Sequence, residues 1–289
     1  MIFTDTGQPP FLRTPDSAAR MSRRFFSGLL PVMAASAWVF GWEAVQVFSL
    51  AAVSCLLTES LWSRVSEKSF RIHEWSSVST AVLLALLLPP GVSRWAVVLG
   101  GVAAILFGKM IFGGLGQNVF NPSLAGFAVL AVMPGFENVI VSQNTAGMDW
   151  SSVFLETGTG LTYGDVSKAA ILFGGMLLVT RRLVPVRSPF VYLASAGIFS
   201  GLLGRNLLSD FIAGNTLLFA FFYVTDFASA PVTSRGRLVF SAAAGALTIL
   251  LRVYDDSSAA GVYALLLMNA VAPLLDRIPS GRSSRNGGK

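Results

Sequence analysis

The sequence predicts an all-α, polytopic integral membrane protein of about ten transmembrane helices. Three observations point there. Charged residues make up only 12% of the chain and hydrophobic ones 53%, where soluble domains carry about 25% charged residues. The apolar residues gather in runs of about 15 to 25, the length that crosses a bilayer core as helix. Lysine and arginine gather in alternate connecting segments, the pattern by which short loops set orientation.

Reading apolar runs against breakers places five spans at 26–42, 44–63, 76–90, 95–112 and 119–134, and five more at 167–180, 189–208, 211–226, 237–253 and 259–276. Residues 1–25 ahead of them are polar and basic, with no small-residue cleavage site after the first run, so no cleaved signal peptide is expected. The second span carries the single cysteine, Cys55, which rules out an internal disulfide or a cysteine-ligated cluster held by this chain alone. A charged linker follows, in which the single His73 reads as solvated. The third span ends in LLALLLPPG and the eighth in FFYVTDFASAP, so both are expected to be short or broken helices. Between the fourth and fifth lies GGLGQNVFNPSLAG, Gly113 to Gly126. The longest loop, 135–166, carries Glu137, Asp149, Glu156 and Asp165, and residues 277–289 form a tail.

The charge distribution tests the count. With both termini inside, the inner segments hold Arg13, Arg20, Arg23, Arg24, Arg64, Lys68, Arg71, Lys109, Arg181, Arg182, Arg187, Arg235, Arg237, Arg277, Arg282, Arg285 and Lys289, which is 17 of the 21 basic residues. Only Arg94, Lys168, Arg205 and Arg252 fall outside. One miscounted span would invert the alternation and destroy that split. The net charge of +6 therefore reads as orientation rather than nucleic-acid binding. The 135–166 loop then faces out, and the expected location is the bacterial inner membrane with cytoplasmic termini.

Two groups of five spans suggest two repeats, 26–134 and 167–276. An odd-numbered unit used twice is inverted in the membrane, and interrupted segments at matching positions point to a site near its midplane. The third and eighth spans match in this way, and the fifth and tenth both carry asparagine and proline, at Asn121–Pro122 and at Asn269 and Pro273.

GGLGQNVFNPSLAG does not follow a strand and its glycine spacing is not a dinucleotide fingerprint. One reading is a tight inter-helix turn where glycine lets backbones approach. The other adds Gln117, Asn118 and Asn121 as polar partners for a broken helix, a cofactor ring or a partly dehydrated ion. Ionisable residues at membrane depth cost about 2.5–3.5 kcal/mol on insertion scales and are functional candidates. Glu59, Lys109 and Asp226 qualify as ion-pathway candidates. For Glu59 and Lys109, mutual pairing or interfacial anchoring competes with a coupling role. Asp226 is the stronger because it follows a short helix, where it could accept from freed backbone N–H groups or meet a cation.

The run GKMIFGGLGQNVFNPSLAGFAVL resembles that of a family of membrane proteins. The family includes the D subunit of the Rnf ferredoxin:NAD oxidoreductase and the B subunit of the sodium-pumping NADH:quinone reductase. Other pieces follow in family order: PPFLRTPDSAARMSRRFFSGLLP, LLTESLWSRV, LLALLLPP, YVTDFASAPVTSRGRLVFSAAAGALTILLR and GVYALLLMNAVAPLLD. The resemblance covers nearly the whole chain, and the short N-terminal tail is more like the Rnf protein. It implies a bundle of two inverted five-helix repeats related to urea-transporter-type channels. It also implies FMN joined through its phosphate to a threonine hydroxyl in the outward loop, a bond made by a flavin transferase.

The family's acceptor motif resembles Ser-Gly-Ala-Thr. Here Ser142-Gln143-Asn144-Thr145 stands in the expected loop, so Thr145 is the candidate acceptor with Ser142 beside it, and Thr157 and Thr159 are weaker candidates. Asn144 replaces the alanine, Val139 stands where an aspartate is usual, Phe227 replaces the proline after Asp226, and Ser258-Ala259-Ala260 replaces a Pro-Glu pair. The resemblance further allows a non-covalent flavin, for which Asn118 and Asn121 are candidate partners. There is no dinucleotide fingerprint, no iron–sulfur ligand set and no metal site, so other subunits of the complex are expected to handle NADH and ferredoxin. The chain is thus expected to be an electron-carrying subunit of an ion-translocating oxidoreductase, not catalytic alone. The rival readings are a solute channel and a flavin-free structural subunit of the same fold.

Overall fold

The computed structural model describes residues 18–66, 74–114, 116–135, 162–212, 215–255 and 257–278. Ser142, Thr145, Thr157, Thr159 and His73 lie outside them. Each apolar segment read from the sequence contains helix. In chain order these are α1 (Ala18–Phe40), α2 (Trp42–Val65), α3 (Glu74–Leu87), α4 (Arg94–Ile105), α5 (Pro122–Val132), α6 (Lys168–Thr180), α7 (Arg187–Leu202), α8 (Leu207–Ile212), α9 (Thr216–Leu218), α10 (Ser234–Tyr254) and α11 (Ala259–Leu275). Two of them, α2 and α10, are long and apolar enough to cross a membrane by themselves.

Local chemistry sets the boundaries. The side chains of Ser93, Asn121, Ser167 and Thr233 each accept from a backbone N–H of the first turn, capping α4, α5, α6 and α10. Pro122 occupies the first position of α5, where a missing N–H costs nothing. The first helix begins at Ala18 rather than at 26, because Ser22 and Phe25 turn inward while Arg20 and Arg23 face out. The seventh ends at Leu202 rather than at 208: Gly204 takes a left-handed φ of 66°, the Arg205 N–H returns to the Ser200 carbonyl, and α8 starts anew.

Two π-helical turns interrupt the regular pattern. Leu106–Met110 extends α4, and Phe219–Tyr223 extends α9. Such turns re-aim side chains and often sit at functional sites. The third helix is a short rod, and the α9 run ending at Tyr223 is short as well. The two meet where the Tyr223 hydroxyl donates to the Leu83 carbonyl at 2.8 Å.

Packing is organised in two halves. In the first, α2 packs on α4 and α4 on α5; in the second, α7 packs on α10 and α10 on α11. The halves meet along α1 against α6 and α5 against α11. At Gly174 a Cβ would stand 2.1 Å from the Gly28 carbonyl, so α1 and α6 cross backbone to backbone. Position 108 is as closed, because a Cβ there would stand 2.4 Å from Pro122 Cα, where α4 meets α5.

The contacts also sort the helix ends. One end of the bundle gathers the starts of α1, α3, α5, α7 and α10, and carries Arg20, Arg23, Arg24, Arg64, Arg181, Arg182, Arg187, Arg235, Arg237 and Arg277. There Arg23 lies over the Trp75 ring and Arg181 donates to Ser27. The far end exposes Trp38, Trp42, Trp95 and Tyr254 instead.

Candidate functional site

The arginine-rich end holds a small, partly open cavity of about 30 Å³ with a mixed polar and apolar lining. Ser22 and Phe25 of α1, Ser76, Ser79 and Thr80 of α3, Asn118, Asn121 and Asp226–Ala228 line it. The glycine-rich stretch is therefore an inter-helix turn that also delivers two asparagines. Gly113, Gly114 and Gly116 take left-handed φ values, which turns the chain sharply enough to bring Asn118 and Asn121 to the start of α5. Asn118 and Asn121 face this cavity, while Gln117 of the same stretch stays exposed.

Asp226 is the centre of this site. Its carboxylate accepts from Asn121 Nδ2 at 3.0 Å, from Ser229 Oγ at 2.8 Å and from the Ala228 N–H at 3.4 Å. All three donors are neutral. Asn121 in turn is held by its capping bonds to the N–H and hydroxyl of Ser123. Asn118 Oδ1 and Ser22 Oγ, both from residues lining the same cavity, are buried without a hydrogen-bond partner among the described residues. A buried carboxylate without a cation is expensive, and unpaired oxygens around it make a ligand set suited to a hard cation or to water. The cavity holds about two waters' worth of space. Among the described residues, no group of three or more His, Cys, Asp or Glu side chains is arranged to hold a metal.

The remaining deeply buried acids among the described residues are ion-paired. Glu59 near the end of α2 meets Lys109 Nζ at 2.8 Å, and Ser77 of α3 bonds to both. The π turn at Leu106–Met110 is what carries Lys109 there. At the far end, Asp210 takes Ser200 Oγ at 2.7 Å and Arg205 Nη2 at 3.1 Å, with Arg252 Nη1 at 3.7 Å. Arg252 Nη1 also donates to the Asp210 carbonyl at 2.9 Å. Asp165 pairs with Lys168 at 2.6 Å. Beside it, burial and then the hydrogen bond to Glu43 push the Tyr163 hydroxyl above its ordinary pKa, so it stays a donor.

The sequence candidates thus separate. Asp226, Asn118 and Asn121 meet at one cavity, while Glu59 and Lys109 meet each other and Ser77. Arg252 and Asp210 are buried partners that sequence reasoning passed over. Their signal was an opposite-charge pair just inside two apolar runs, in LLSDF and TILLRVY.

The profile described as the NQR2, RnfD, RnfE family matches residues 5–284. The D subunit of the Na(+)-translocating ferredoxin:NAD(+) oxidoreductase complex of Acetobacterium woodii is 33% identical over 294 residues, covering 94% of this chain and 92% of that protein. The D subunit of an ion-translocating oxidoreductase complex from Methanosarcina acetivorans is 32% identical, covering 86% of this chain and 85% of the relative. The D subunit of the proton-translocating ferredoxin:NAD(+) oxidoreductase complex of Clostridium ljungdahlii is 28% identical, covering 96% and 94%.

Proposed function

This chain belongs to the NQR2, RnfD, RnfE family, and from that premise we propose that it is the flavin-carrying membrane subunit of an Rnf-type complex. That complex couples electron transfer between ferredoxin and NAD to the movement of Na⁺ or H⁺. The observation that carries the reading is family membership across nearly the whole chain, joined to a buried acid, Asp226, whose donors among the described residues are all neutral. Its partners are the other subunits of the complex, a flavin transferase and the lipid bilayer.

The proposed arrangement is ten spans as two inverted five-helix repeats with both termini cytoplasmic. Supporting it are the matched pairings of α2–α4–α5 and α7–α10–α11 and the glycine crossing of α1 and α6. The arginine-rich end then faces the cytoplasm. The exposed Trp38, Trp42, Trp95 and Tyr254 form an aromatic belt at the outer interface.

FMN held through its phosphate by Thr145 would supply the redox chemistry. Among the described residues, Asp226 at the arginine-rich end is the ion-binding group. For a second, non-covalent flavin the candidate partners are Asn118 and Asn121, which line the Asp226 cavity. Asp226 leads the ion-pathway candidates, because the Glu59 carboxylate is already committed to Lys109 and Ser77. The relatives name both sodium and proton as the translocated ion, and the oxygen donors around Asp226 suit either.

The test is in-gel fluorescence of the denatured chain co-expressed with a flavin transferase. A fluorescent band that disappears in Thr145→Val supports covalent flavin at that residue. No band under those conditions overturns it in favour of a flavin-free channel or structural subunit, the reading that Asn144 in the acceptor motif favours.

A further inference from the structure

Residues 162–167, which lead into α6, do more than connect. The last carbonyls of a helix have no partner within it, and α3 ends at Leu87 inside the bundle. Its freed carbonyls are taken by this segment: the Tyr163 N–H donates to the Leu88 carbonyl at 2.9 Å and the Gly164 N–H to the Leu86 carbonyl at 2.7 Å. The Ser36 hydroxyl of α1 donates to the Tyr163 carbonyl, and the Tyr163 hydroxyl donates to Glu43 of α2 at 2.9 Å. Thr162 Oγ1 donates to Asn215 Oδ1 at 2.9 Å, and Asp165 Oδ1 accepts from the Asn215 N–H at 3.4 Å, just ahead of α9.

One short strap thus ties α1, α2, the C-terminus of α3 and the N-terminus of α9. Its closeness depends on Gly164, where a Cβ would stand 2.8 Å from the Leu86 carbonyl and 3.1 Å from Asn215 Oδ1. The two interrupted helices cross beneath it, at Tyr223 and Leu83. The strap therefore lies over that crossing toward the far end, while the Asp226 cavity lies at the arginine-rich end. The tie is imperfectly satisfied. Asn215 Nδ2 is buried without an acceptor among the described residues, so the closed arrangement leaves a donor unmet there.

We propose that residues 162–167 form an outer strap that releases from α3 and Asn215 during turnover, so that the space beside Asp226 opens to one side of the membrane at a time. This rests on the reading of the chain as an ion-translocating subunit and goes beyond it by naming the moving part. A purely structural staple makes the opposite prediction: Thr162, only 2% exposed, stays inaccessible in every state.

The experiment uses the assembled complex in right-side-out vesicles loaded with reduced ferredoxin and NAD. Thr162→Cys is introduced into this chain, whose native Cys55 is buried. Labelling by a membrane-impermeant maleimide is read by mass on this chain. The rate is expected to rise about tenfold on turnover, as for a local opening that becomes populated. An equal rate at rest and in turnover overturns the proposal. In a second arm, Thr162→Cys with Asn215→Cys is oxidised across the strap. Ion movement across the vesicle membrane is expected to stop and to return on reduction, and undiminished movement with the pair oxidised overturns the strap alone. Ion movement by the unmodified complex reports separately on the underlying reading.

Discussion

The two halves of the molecule solve one electrostatic problem in different ways. In each, a buried cation meets an acid that also accepts from a serine hydroxyl. In the first half the cation is Lys109, the acid Glu59 lies on α2 and the serine, Ser77, on α3. In the second the cation is Arg252, the serine, Ser200, lies on α7 and the acid, Asp210, on short α8, with Arg205 added. In the first cluster Lys109 and Ser77 both hold Glu59, whereas in the second one acid is shared between two guanidiniums that remain charged at any physiological pH. Between them, Asp226 has only neutral donors among the described residues. The contrast teaches that the charged clusters anchor helix ends and the uncharged cluster is the one left available to a ligand.

Several substitutions press on this contrast. The largest effect is expected from Lys109→Met, which removes the cation that Glu59 meets in the bundle. Breaking a buried pair costs about 3–5 kcal/mol, to be read as a lower unfolding midpoint of the detergent-solubilised chain. Arg252→Met leaves Asp210 with Arg205 and Ser200, so the loss should be nearer the about 1.5–3 kcal/mol of hydrogen bonds to a charged group. If the two losses come out equal, the sharing of Asp210 counts for nothing and the contrast between halves breaks down. Replacing both partners of the first pair, Glu59→Leu with Lys109→Met, should return stability to within about 1 kcal/mol of the native chain. Failure to recover would mean that Ser77 or the π turn needs the charges. The smallest change in stability, about 1 kcal/mol or less, is expected for Asp226→Asn, which keeps the shape and removes a charge that only neutral donors face. Ion uptake by the assembled complex should nonetheless fall roughly tenfold, as for a functional acid at membrane depth. Uptake that survives this substitution removes Asp226 from the ion path.

Much of this was visible in the residues alone. The breakers in LLALLLPPG and FFYVTDFASAP mark α3 and the α9 run as short, because proline and a polar residue interrupt apolar periodicity. Asn121–Pro122 marks the start of α5, since both residue types favour that position. Asp226 stood out as an acid at the end of a short helix. What stayed hidden was depth. Arg252, Arg205 and Lys168 were tallied as outer-segment charges, yet Arg252 and Lys168 are each 1% exposed. A charge near a span's end looks the same in sequence whether it faces water or a partner one helix away. The partner is a matter of tertiary packing, and so is the strap, whose backbone bonds to α3 have no counterpart in side-chain pattern.

The contact at position 108 has a consequence for how this chain can change over evolutionary time. With Pro122 Cα 2.4 Å from where a Cβ would be, no drift by small steps is open there: any side chain pushes α4 from α5 and displaces Lys109, its sequence neighbour. Positions such as Leu57 and Phe173, more than half exposed on the outer surface of the bundle, can wander among apolar residues freely. Lineages of such chains should therefore diverge on their lipid-facing shell while that one residue stays fixed. Sequencing a pool of random variants selected for function would display this as a site with a single surviving letter.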